Sequence, residues 1–388
     1  MTTKTHWIVQ ARRSAAALAV CALVLPLAAR AAEPGDYKIG FITENTGPIA
    51  FAGLSYWHGA QLAADEISAN AYMGAGTKLS LVDRESASDP ARAIQGMHQL
   101  VADRSVIATS CCILSAVAGS LKPIVQGSKI PLVIFGATAP GLPQAPYIQS
   151  MTILPGPKDL ATAVYVTEAT QPKTAAYFVA ADNDALKARM GAVQKALEAM
   201  GVKTSAVVSV LSADTDFTAA ATQAMGTKPD MMLVYATQTP AVGIVAALRA
   251  REYAGVIVGN DALSPEPVFK KLGAAAKGVM FPISFSATLA QSDDGKAFVA
   301  AYRKQFNADP DIYSAQGYAV GYFIAQGLKS IPGKPTRETL ADALSKITQL
   351  DHNVYGGEQI VGGQAETKDT MIVSWSPDGK LVPWTGTK

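Results

Sequence analysis

From Tyr37 onward, short apolar runs alternate with stretches of helical periodicity, and few folds accommodate that alternation. The clearest run covers 130–135. It carries Pro131 near its start and is closed by Gly136, as a strand buried on both faces of a parallel sheet would be. Ahead of it, strands are expected over 37–43, 79–82 and 106–109, with helices over 53–70, 90–100 and 115–125. Asp89-Pro90 supplies a cap residue and a first-turn proline for the second of those helices. Consecutive β-α-β units imply parallel strands with right-handed crossovers. Ligands of open α/β sheets sit outside the carboxyl ends of the strands. The small, polar turn Gly136-Ala137-Thr138-Ala139-Pro140 is therefore the expected contact point.

Past Pro155-Gly156-Pro157 the rhythm restarts. A helix from Lys158 leads to strands over 174–180, 203–210, 231–235 and 256–259, separated by helices over 185–200, 217–225 and 241–251. Three later helical stretches, 293–306, 313–329 and 337–347, are too few to make a domain and are expected to return to the first one. Gly-rich, strand-like pieces complete the chain. The expected fold is α/β, with two doubly wound Rossmann-like lobes: residues 36–157 plus 286–362, and 158–285 plus 363–388.

Residues 1–31 are expected to be a signal peptide. Lys4, Arg12 and Arg13 precede an apolar run from Ala15 to Leu27, and Ala29-Arg30-Ala31 offers a small-residue cleavage site. The run is too short to span a bilayer, and Cys21 would leave with it. That segment holds four of the 33 Lys and Arg and none of the 31 Asp and Glu, so the remaining 357 residues carry a net charge of −2. Without a basic stripe, nucleic acid is not an expected partner. An exported protein is expected, located in the periplasm.

Enzyme classes built on such sheets find little support. The chain has no G-x-S-x-G elbow and no G-x-G-x-x-G opening a helix after a strand. Of four histidines, His6 falls in the leader, and His58, His98 and His352 are scattered. No spacing points to a metal, and no cofactor is expected.

Thr46-Gly47-Pro48 with Gly53 and Gly59-Ala60, Asp89-Pro90, Gly136-Ala137-Thr138-Ala139-Pro140 and Tyr313…Tyr318-Ala319 follow one another in an order that resembles the periplasmic Leu/Ile/Val-binding family serving ABC transporters. The resemblance implies two lobes joined by three crossovers and closing on a small ligand. It also implies a monomer that delivers its ligand to membrane permease subunits. It places the ligand carboxylate on Ser115, Gly136, Ala137 and Thr138, and an ammonium group on Asp261, where leucine-type binders commonly have Glu. On the residues alone, Ser115 reads rather as a helix cap, and Asp261 could cap a helix near Ser264-Pro265. The same fold also serves ligand-sensing regulators, but an export segment favours transport.

The departures from the family bear on the ligand. Its aromatic after the Gly-Pro turn is Ala52 here, with Phe51 just before it, and the aromatic opening the second-lobe helix is Ala185. Tyr313 matches a ring that lines the side-chain pocket in relatives, so Phe51 and Tyr313 are expected to form an altered pocket for an amino acid or an aromatic or aliphatic carboxylate. Trp57 reads as core. The family's lobe-one disulfide positions are Ser88 and Leu114. Cys111 and Cys112 are adjacent instead, open to a vicinal disulfide or to a pair of buried thiols.

Overall fold

The structure, a computed structural model, describes residues 32–47, 49–290, 292–354, 358–367 and 370–386. The expected signal peptide and Pro48 lie outside the described residues. β1 (Gly35–Thr43), β2 (Thr77–Glu85), β3 (Val106–Cys111), β4 (Leu132–Ile134) and β5 (Ile148–Ser150) form a parallel sheet in the order β2-β1-β3-β4-β5. The connecting helices are α1 (Ala50–Ala69), α2 (Pro90–Ala102) and α3 (Ser115–Ser128). Asp89 caps α2 as expected, accepting the Arg92 amide at 2.8 Å.

The chain then passes to a second sheet through α4 (Pro155–Thr170). β6 (Thr174–Ala180), α5 (Asp184–Ala199), β7 (Lys203–Val210), α6 (Thr218–Gly226), β8 (Met231–Tyr235), α7 (Gln238–Arg249), β9 (Val256–Gly259), α8 (Glu266–Leu272) and β10 (Val279–Ile283) follow. Their strand order is β7-β6-β8-β9-β10, the same winding as in the first sheet. α9 (Asp293–Phe306), α10 (Ile312–Lys329) and α11 (Arg337–Ser345) return to the first sheet. Phe298, Tyr318, Phe323 and Leu340 share one core with Ile39, Phe41 and Val133.

The last strands divide between the sheets. β11 (Glu358–Val361) and β12 (Gln364–Thr367) extend the first, with β12 beside β5; β13 (Met371–Trp375) and β14 (Leu381–Pro383) extend the second antiparallel to β10. The expected lobe boundary at residue 362 is therefore displaced. Gly362 and Gly363, with φ of 57° and 84°, are the two-residue turn of the β11–β12 hairpin, a conformation glycine adopts freely. β12 ends at Thr367 in the first sheet and β13 begins at Met371 in the second, and α4 already begins at Pro155.

α1 and α10 approach so closely that side chains are excluded between them. A Cβ on Gly59 would lie 1.9 Å from the Ser314 carbonyl oxygen, and one on Gly317 would lie 2.1 Å from that of Tyr56. Because both obstacles are backbone, Gly317→Ala should destabilise the protein by about 1–3 kcal/mol in urea unfolding. Gly191→Ala, on the exposed face of α5 with nothing near its added methyl, should be neutral or stabilise by up to about 1 kcal/mol. Equal effects of the two would contradict this packing.

Candidate functional site

The first-lobe side of the site is built where β3 and β4 end. Gly136 closes β4 with φ of 85°, and a Cβ there would lie 2.7 Å from the Tyr56 hydroxyl and 3.1 Å from the Ile113 Cα. Glycine is thus required by both conformation and space. Ser115 is the first residue of α3 and not its cap: Leu114 holds the N-cap position, with no side-chain cap bond. The Ser115 Oγ instead accepts the amides of Thr138 and Ala139 at 3.2 and 3.1 Å, tying α3 to the β4 turn.

These bonds alter which donors of the turn are available. The buried Ala137 amide is committed to the Cys112 carbonyl at 3.0 Å, and the Thr138 amide to Ser115. What remains for an anion is the Ser115 O–H, the exposed Thr138 hydroxyl and the side-chain-uncapped first turn of α3, whose amides carry the positive end of the helix dipole. Cys111 and Cys112, both fully buried under this turn, are joined by a disulfide.

The apolar side comes from α1 and α10. Phe51, 65 % exposed in the first turn of α1, meets Tyr313 edge-on with ring centroids 5.8 Å apart. Tyr313 also lies 5.5 Å from Tyr56, which packs on Phe135 at 4.4 Å. The buried Tyr56 hydroxyl donates to Gln316 Oε1. Trp57 meets Phe41 edge-on and packs on the core, as its reading from sequence implied.

Across from this wall, Asp261 opens the turn after β9 and is not a helix cap; its Oδ1 accepts from Arg189 Nη2 at 3.0 Å. Arg189 on α5 also donates through Nε to Asp159 Oδ2 at 2.5 Å, and the neighbouring buried Lys158 donates to Ser284 Oγ. Asp261 is close enough to Tyr313 to help raise its hydroxyl pKa, after the larger effect of burial and that of Asp311. This charge effect is what relates the Arg189–Asp261 pair to the aromatic wall. Burial pushes the Asp159 carboxyl up to about 6, although Arg189 pulls it down. Burial also lowers Lys158. For Arg189 burial is the largest single effect and acts against the charge, but the bonds to and charges of Asp159 and Asp261 together outweigh it and hold the guanidinium above its ordinary value.

Sequence reasoning missed Lys158, Asp159 and Arg189, and also Glu44. Glu44 follows β1, is fully buried, and accepts the Ile113 amide on Oε2 at 2.6 Å. Ala185 lies exposed in the first turn of α5. The histidines stand away from the cleft groups: His58 stacks on Phe306, His98 is exposed on α2, and His352 faces Asp294 and Tyr322. Among the described residues no group of three His, Cys, Asp or Glu could hold a metal ion. No helix among them is long and apolar enough to cross a membrane. Two surface cavities of about 450 and 440 Å³, one beside Tyr165 and Trp384 and one beside Trp57 and Gln305, include none of the cleft residues Phe51, Ser115, Gly136, Asp261 or Tyr313. The cleft is preferred over both because it combines helix-end donors, a charged group and an aromatic wall.

Two doubly wound lobes with a cleft at their strand ends define a two-lobe binding protein. The chain belongs to the periplasmic binding protein family, whose model matches residues 36–380. An amino acid binding protein of Pseudomonas aeruginosa is 25 % identical over 290 residues, covering 73 % of this chain and 76 % of that one. The fold is similar to a putative branched-chain amino acid ABC transporter protein from Rhodospirillum rubrum (TM-score 0.79, 21 % identity, 90 % of this chain and 99 % of that one). It is also similar to a branched-chain amino acid substrate-binding protein from Streptococcus pneumoniae in complex with isoleucine (0.70, 26 %, 89 % and 98 %). A third similar structure is an ABC transporter solute-binding protein from R. palustris in complex with 4-hydroxybenzoate (0.72, 19 %, 90 % and 96 %).

The charge cluster yields a pH-dependent expectation. Arg189→Met would leave the buried Asp159 carboxylate without its partner, a loss of about 3–5 kcal/mol near neutral pH. Asp159 has a raised folded pKa, so protonation stabilises the folded state; its contribution is present at low pH and lost as pH rises through about 6. The penalty of the variant should therefore be largest near pH 8 and shrink towards pH 5. Urea unfolding across that range checks it, and a penalty independent of pH would contradict it.

Proposed function

We propose that this protein is the extracytoplasmic solute-binding subunit of an ABC importer, capturing a small carboxylate with an apolar or aromatic body between its lobes. The observation that supports the reading is the uncapped start of α3, with Ser115 and Thr138, beside the Phe51–Tyr313 wall, whose Tyr313 hydroxyl also feels the charge of Asp261, the partner of Arg189. The anion rests on helix-end donors, and its body rests on the rings. Closure of the lobes removes both from water. The protein binds without catalysing, acts as a monomer in the periplasm, and passes its ligand to permease subunits.

The pairing of Asp261 with Arg189 favours an acid without an amine, because the carboxylate already has a cationic partner at 3.0 Å. The amino acid relatives keep the alternative in play, and one set of variants separates the two. A thermal-shift panel of amino acids and of aromatic and aliphatic carboxylates should give a hit, since a ligand that binds only the folded state raises its melting temperature. With an amine-free acid, Ser115→Ala and Thr138→Ala should each weaken calorimetric binding by about 1–3 kcal/mol, and Asp261→Asn should be neutral or should tighten it. With an amino acid, Asp261→Asn should instead cost about 2–5 kcal/mol. Equal, negligible effects of all three, or turnover of the hit, would contradict the proposal.

A further inference from the structure

Glu44 is a buried carboxyl to which the binding function assigns no task. It stands at the carboxyl end of β1 with no exposed surface. Its Oε2 accepts the Ile113 amide at 2.6 Å, and the Leu114 amide also acts on the carboxyl. Both amides belong to the approach to α3, one and two residues before Ser115. Its other oxygen, Oε1, is buried and has no hydrogen-bond partner. The Ser88 hydroxyl lies near it, but it too is without a partner of good geometry.

The charged and titratable surroundings offer Glu44 no compensation. From β2 comes a second carboxylate, Glu85, and from α1 the buried hydroxyl of Tyr56. The disulfide beneath α3 does not titrate. Among the described residues no ion pair to Glu44 is found, and no Lys, Arg or His is among the leading influences on it. Burial raises its carboxyl, the Ile113 and Leu114 amides and Ser88 draw it down, and Glu85 adds to the rise. The ligand end of the cleft is one backbone step away, since the Ile113 Cα lies 3.1 Å from where a Gly136 side chain would begin.

We propose that Glu44 makes the capture of an anionic ligand proton-linked: Glu44 takes up a proton as a carboxylate settles against the start of α3. This rests on the reading of the cleft as a carboxylate site. Two anions sharing one helix end repel each other, and no cation faces Glu44 to relieve them. The cheaper state of the complex holds Glu44 neutral, with its new O–H on the side of the orphaned Oε1 and Ser88. Binding of an anion and binding of the proton then favour one another.

The test titrates the wild type and Glu44→Gln with 4-hydroxybenzoate at about pH 5.5 and about pH 8. Gln keeps an acceptor for the Ile113 amide but cannot ionise. Wild-type affinity should fall by about tenfold or more between the two pH values, and that of Glu44→Gln by much less. Asp159 also titrates in this range, but it is present in both proteins and cancels in the comparison. A ligand-free readout accompanies it: a group with a raised folded pKa loses its contribution as pH rises, so the melting temperature of the variant should gain on that of the wild type from low to high pH. Equal pH dependence of binding in the two proteins, or a melting gap that does not change with pH, would overturn the proposal alone. Failure of 4-hydroxybenzoate, and of every amino acid and carboxylate of the thermal-shift panel, to bind either protein at either pH would overturn the carboxylate reading and the proposal with it.

Discussion

Tyr56 and Gln316 are 260 residues apart in the chain, yet one donates to the other because Gly59 and Gly317 let the backbones of α1 and α10 touch. The cleft depends on that contact. It sets Tyr56 under the Gly136 turn, Tyr313 against Tyr56 and Phe51 at the rim. Any side chain at the two glycines would separate the helices and tilt the aromatic wall away from the donors of α3. A single packing constraint, at two glycines that themselves offer no side chain to a ligand, thereby fixes the relation between the apolar and polar halves of the site.

Much of the fold was legible because its strands are central and apolar. β6, β7, β8 and β9 lie where the runs 174–180, 203–210, 231–235 and 256–259 placed them. The short strands β5 and β10 were not anticipated: three residues at Ile148–Ser150 and five broken by Pro282 carry little periodic signal. β2 is longer than its apolar core, because Asp83 and Glu85 continue it as a ladder against β1, where Thr43 bonds both. The misplaced boundary at 362 has a similar cause. A glycine pair reads equally as a lobe passage or a hairpin turn, and only the pairing of β11 with β12 decides.

The geometry around the candidate site was legible in part, and for a different reason. Ser115 and the turn 136–138 sit at strand ends, the one location where sheet topology dictates a function, and the structure brings them within hydrogen-bond reach of each other. Arg189 could not be found that way. It lies in mid-helix on α5, and its meaning comes from Asp159 on α4 and Asp261 after β9, which are 30 residues before it and 72 after it. Glu44 escaped notice because a lone acidic residue at a turn normally signals solvent, and here it is buried, its carboxylate held by the approach to α3 and its backbone carbonyl packed against Gly53.

A crystal structure of the protein with the acid that most raises its melting temperature would test the account most directly. The account predicts density between the lobes, with the carboxylate within hydrogen-bond distance of the Ser115 hydroxyl and the first turn of α3, and the body against Tyr313 and Phe51. Density confined to the groove beside Tyr165 and Trp384, with the cleft holding solvent only, would contradict it.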